Sequence, residues 1–102
     1  MLFIIDKIKL KNTAYMDEFV LWVKEVDYVA CRDLPSVLEF QVNKVIQGGD
    51  CDFLEIVQVS SWQDFEKDMQ TPLFQSLAER FSQMAEVSEQ IRLDPVAPGY
   101  RK

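Results

Sequence analysis

At 102 residues, with 48% hydrophobic and 27% charged side chains, the chain has the composition of one globular domain and not of a disordered segment. Seventeen acidic against eleven basic residues leave a net charge of −6, and the only close basic set is Lys7, Lys9 and Lys11. Phosphate-backbone binding needs clustered cations, so nucleic acid is excluded as a partner.

Leu2 to Leu10 reads as a strand: Leu2, Ile4, Ile8 and Leu10 fall on one face with Asp6 in the middle of their row. The same Asp6 interrupts the opening apolar run too early for a signal peptide or a membrane span, which predicts a cytoplasmic protein without membrane contact. From about Thr13 to Arg32 the period becomes helical, and Tyr15, Phe19, Trp22, Val23, Val26 and Ala30 form its apolar stripe. Val37 to Gln47 alternates as a second strand, with Leu38, Phe40 and Val42 opposite Glu39, Gln41 and Asn43. Gly48-Gly49 predicts a tight hairpin turn into a third strand, Cys51 to Val59, with Phe53, Val57 and Val59 on one face and Leu54, Ile56 and Gln58 on the other.

Ser61, with Asp64 three residues on, predicts a capped helix start. Thr71-Pro72 predicts another, followed by the stripe Phe74, Leu77, Ala78, Phe81 and Ala85. Val87 to Leu93 predicts a last strand, its face Val87, Ile91 and Leu93 alternating with Ser88, Gln90 and Arg92. Residues 94–102, with two prolines, read as an extended tail, and residues 1–102 as a single domain.

Strand, helix, hairpin, helix, strand is the order of the α+β ferredoxin-like βαββαβ fold, with both helices on one face of an antiparallel sheet. The first and third strands carry apolar residues on both faces, whereas a sheet with a free face should alternate cleanly. The economical cover is a second copy packed sheet against sheet, which predicts a homodimer built as a dimeric α+β barrel.

The segment from Ser61 to Phe74 resembles a stretch of the dimeric α+β barrel superfamily: Trp62, Phe65, Thr71, Pro72 and Phe74 match its pattern, while two histidine positions hold Asp68 and Leu73. With its length, its Met-Leu-Phe-Ile-Ile opening and its Asp94-Pro95 ending, the chain as a whole resembles the RedY-like family of small proteins encoded with prodigiosin-type pigment biosynthesis. That resemblance implies the dimeric barrel and a role in tripyrrole or related pigment assembly, with a small hydrophobic or pyrrolic ligand.

The chain contains no histidine. Haem-degrading and many cofactor-free oxygenase relatives depend on one, so neither mechanism runs here in that form. No His/Cys cluster, nucleophile–base pair or phosphate-binding loop is present, which predicts no metal and no cofactor. Cys31 and Cys51 lack CxxC spacing and read as reduced, buried thiols.

Asp6 is one candidate catalytic residue, since a carboxyl in an apolar row loses hydration and can serve as general acid or base. Its alternative is an ion pair with Arg92 or a lysine at the sheet rim. Asp68, at a position that carries a functional histidine in some relatives, is the other candidate; its alternative is a solvated helix residue. Trp22 and Trp62 offer flat walls for an aromatic ligand or anchors for the core. Glu39, Gln41 and Asn43, with Gln58 across the hairpin and Arg92, complete the expected ligand cavity, placed inside the barrel if Leu38, Phe40 and Val42 pack on the helices.

Three functions fit this pattern. One is a cofactor-free enzyme that assists condensation, cyclisation or dehydration of a pigment precursor. Another is a non-catalytic module that holds or delivers that precursor, its acidic surface suited to docking on a biosynthetic enzyme. The third is a cofactor-free monooxygenase.

Overall fold

The computed structural model describes residues 1–102. Its strands are β1 (Leu2–Leu10), β2 (Val37–Lys44), β3 (Phe53–Val59) and β4 (Ala85–Leu93), joined in one antiparallel sheet of order β2-β3-β1-β4. The helices α1 (Met16–Trp22), α2 (Tyr28–Ala30), α3 (Trp62–Met69) and α4 (Pro72–Met84) complete the ferredoxin-like α+β architecture. No helix is long and apolar enough to cross a membrane.

Parity along β1 sets the inside. Ile4 and Ile8 are 1% exposed and lie beneath the helices, where they meet Phe53, Val57 and Val59 of the neighbouring β3. Phe19, Trp22, Leu77 and Met84 close one half of the core from the helix side, and Phe65 closes the other. Ser61 and Thr71 cap α3 and α4 as their sequence predicts, each oxygen accepting from the backbone N–H three residues on.

Several local expectations are corrected. The β2–β3 connection spans residues 45–52 and is no two-residue hairpin, although Gly48 and Gly49 do take positive φ, at 82° and 73°. A bulge between Val37 and Glu39 turns Leu38 out to solvent, leaving Phe40 and Val42 on the helix side. A second irregularity in the β1–β4 pairing places Val87 opposite Ile8, whereas Ile91 and Leu93 oppose Ile5 and Phe3 on the other face. Ala85 belongs to β4 and not to the α4 stripe.

The first helix differs most. Between α1 and α2 the chain makes a stretch of π-helix, Val23–Asp27. The extra residue rotates the downstream side chains by about 100° relative to a regular α-helix. Val26, expected on the apolar stripe, is therefore 43% exposed, and Asp27 is buried in its stead. One residue further on, the Tyr28 hydroxyl accepts from the backbone N–H of Val42 at 2.9 Å and donates to its carbonyl at 3.4 Å, on the outer side of the edge strand β2.

The face of the sheet without helices is apolar at its centre. Ile56, Ile5 and Ile91 form one row across β3, β1 and β4, and Phe3, Leu54 and Leu93 flank it. Lys7 borders the patch, paired with Glu89 at 2.8 Å.

Candidate functional site

Between the sheet and the helices lies a cavity of about 240 Å³, with apolar side chains at thirteen of its seventeen lining positions. The four polar residues are Asp6, Asp27, Glu55 and Gln90. An apolar chamber with a few convergent polar groups is the usual form of a small-molecule site. A second depression, beside Tyr28, Arg32, Leu38 and Glu39, is an open groove outside the β2 edge and gathers no comparable chemistry.

The sheet register assembles three of the four. Asp6 sits at the centre of β1, and its neighbours on either side are Glu55 of β3 and Gln90 of β4. The Gln90 amide donates to Asp6 Oδ1 at 3.0 Å, and the Glu55 side chain lies beside Asp6 on the same face of the sheet. The fourth, Asp27, comes down from the π turn and accepts a long 3.5 Å contact from the Cys31 thiol. Asp6 and Asp27 are only 8% and 7% exposed, and Glu55 keeps accessible surface because it borders the cavity.

Burial governs the protonation of this group. Loss of hydration raises the Asp27 carboxyl from 3.8 to about 6, opposed only by the Cys31 contact. Glu55 is raised well above the ordinary glutamate value, first by burial, then by its hydrogen bond with Asp6 and the negative charges of Asp6 and Asp27. The Cys31 thiol is pushed up as well, by burial and by Asp27. Glu55, held towards its protonated form, and Asp6 beside it both open to one chamber. No group of three His, Cys, Asp or Glu side chains is arranged to hold a metal ion.

Of the residues expected from sequence, Asp6 and Trp22 line this cavity. Asp6 finds Gln90 as its partner and not Arg92 or a lysine. The Arg92 guanidinium instead lies 3.4 Å over the centre of the Trp62 ring, a cation–π pair outside the lining. Glu39, Gln41, Asn43 and Gln58 point to the helix-free face, so the chamber is on the opposite side of the sheet from them. Asn43 is spent there on the Leu54 carbonyl at 3.1 Å, and Gln58 contacts Met1.

Asp68 is neither solvated nor on the cavity wall. It is 6% exposed, and its carboxyl accepts from both the backbone N–H and the hydroxyl of Ser36, which is 2% exposed. It tethers α3 to the start of β2 across 32 residues. Asp68→Ala strands two buried donors and is expected to lower unfolding free energy by about 2 kcal/mol in urea titrations. A loss below about half that value would assign the tether no structural weight.

Glu55, Asp27 and Gln90 were missed by sequence reading. Glu55 shares the parity of Phe53, Val57 and Val59, the same signal that singled out Asp6. Gln90 needed the β1–β4 register, and Asp27 was hidden by the π turn.

With this geometry in place, comparison with known proteins is informative. Residues 2–96 match the family described as REDY-like protein HapK. The crystal structure of HapK from Hahella chejuensis has a TM-score of 0.91 at 36% identity, covering 100% of this chain and 99% of that one. An antibiotic biosynthesis monooxygenase structure matches with a TM-score of 0.68 at 20% identity over 94% of this chain and 99% of its own. SnoaB, a cofactor-independent oxygenase from Streptomyces nogalater, matches with a TM-score of 0.75 at 11% identity over 95% of this chain and 94% of its own. At those two identities the likeness shows the fold alone. No curated protein matches the sequence.

Proposed function

Since the chain belongs to the REDY-like HapK family, we propose that it handles a small intermediate of secondary-metabolite biosynthesis, of the prodigiosin-like tripyrrole type, and assists a cofactor-free dehydrative condensation or cyclisation. One observation carries this reading: two carboxyls on adjacent strands, Asp6 and Glu55, open side by side into a largely apolar chamber. Dehydration needs an acid to protonate the departing hydroxyl and a base to take a proton from the substrate's N–H or C–H. Protonated Glu55 suits the first task and Asp6, held by Gln90, suits the second. Water leaves, and the proton gained by Asp6 returns to Glu55 through the contact between them, so the pair ends as it began. The aromatic walls orient the ring system and exclude water from the reacting carbon.

In this reading the helix-free face carries a second copy. Six apolar side chains (Phe3, Ile5, Leu54, Ile56, Ile91 and Leu93) supply the contact, and each copy keeps its own cavity beneath its own helices.

The test is incubation of the purified chain with mono- and bipyrrolic carbonyl compounds, reading product masses for loss of one water. Turnover by Asp6→Asn is expected to fall roughly a hundredfold while the fold persists by circular dichroism. Undiminished turnover would remove Asp6 from the chemistry. Saturable binding without any product would instead favour a delivery role.

A further inference from the structure

We infer that the chamber selects planar ligands bearing a positive charge and turns away anions. The inference rests on the acid–base reading above and names the kind of molecule that site accepts. Three carboxyls reach the wall from three different elements, Asp6 from β1, Asp27 from the π turn and Glu55 from β3. No lysine or arginine lines the chamber to balance them. Arg92 lies over Trp62, Lys7 pairs with Glu89 on the opposite face, Arg80 pairs with Glu18 at the surface, and Arg32 lines the groove outside the β2 edge and not the chamber.

Asp27 adds a separate observation. Its side chain is 7% exposed, its single hydrogen bond is the long thiol contact at Oδ1, and Oδ2 has no partner in the protein. A buried carboxylate normally sits against a cation or several donors, because leaving it unpaired is costly. No side-chain oxygen in the fold is both sealed off and unpartnered, so the free Oδ2 opens onto accessible space, on a residue of the chamber wall brought inward by a π turn, a device often found at functional sites. A cationic guest supplies the missing partner. Trp22 and Phe81 offer ring faces that also attract a cation. At about 240 Å³ the space is below the roughly 300–1,000 Å³ of drug-sized pockets, so it suits a one- or two-ring head group.

Such a guest must also displace protons. The titratable groups facing the space are Asp6, Asp27, Cys31 and Glu55; β2, α3, α4 and β4 contribute only uncharged side chains. A cation favours the ionised carboxyls, so binding releases protons and strengthens as pH rises from 5 to 7.5.

Isothermal titration of the full chain with benzamidinium, benzamide and benzoate, a near-isosteric series of charge, tests this. Benzamidinium is expected to bind at least tenfold more tightly than benzamide, with proton release seen as a buffer-dependent heat, and benzoate is expected not to bind. Asp27→Asn, with Glu55→Gln as a second variant, should lose most of that tenfold preference. Equal affinity across the series, failure of all three to bind, or variants that weaken all three alike would overturn the inference. If turnover still falls in Asp6→Asn under any of those outcomes, the acid–base reading survives and only the charge preference is lost.

Discussion

Ile5→Asp is expected to convert a pair of chains into single ones, lowering the association constant by at least about a thousandfold, or about 4 kcal/mol. Ile5 lies between Ile56 and Ile91 at the centre of the helix-free face, and twofold pairing brings each substitution in twice. Each buried isoleucine contributes roughly 1.5–3 kcal/mol, and each introduced carboxylate would have to shed its water without a partner. The core beneath the helices is built from the opposite parity, so the separated subunit should keep its fold. Sedimentation velocity across a hundredfold range of concentration decides the matter. A wild type that sediments as a single subunit throughout, or an Ile5→Asp variant that stays paired, would defeat the twofold arrangement.

Asp27→Asn is expected to gain stability relative to the wild type as pH rises, by about 3 kcal/mol between pH 4 and pH 8. The folded chain holds the Asp27 proton up to about pH 6, whereas the ordinary carboxyl value is 3.8. Between those two values the native state therefore binds more protons than the unfolded state, and stability falls as pH increases. Above pH 6 the full cost of an ionised buried group is present. Asparagine has no such proton to lose, and removing the Asp27 charge also relieves Glu55, which shifts in the same direction. Urea midpoints of both proteins at intervals of half a pH unit would show the difference widening through this window. A difference that stays flat would mean that Asp27 is hydrated as well in the folded chain as in the unfolded one.

Much of this arrangement was legible in the order of residues alone. Alternation in β1 placed Asp6 among Ile4 and Ile8, and the two apolar faces of β1 and β3 pointed to a sheet covered on one side by helices and apolar on the other. Ser61 and Thr71 marked their helix starts because capping depends on neighbours three residues away. What escaped depends on longer range or on broken periods. That Glu55 and Gln90 flank Asp6 is a fact of strand register, which alternation within each strand does not contain. The 3.6-residue rule put Val26 inside, and one π-helical stretch gave that place to Asp27. Alternation put Glu39, Gln41 and Asn43 opposite Phe40 and Val42, but it could not show that the chamber lies on the helix side of the sheet, away from them.

The Tyr28 phenol bridging both polar groups of Val42 has a bearing on how the protein behaves when concentrated. An incoming β-segment recruits a border strand through free amides and carbonyls, and at mid-strand it finds this rung already occupied by a ring anchored in the neighbouring helix. At this rung the border strand offers an incoming segment nothing to pair with.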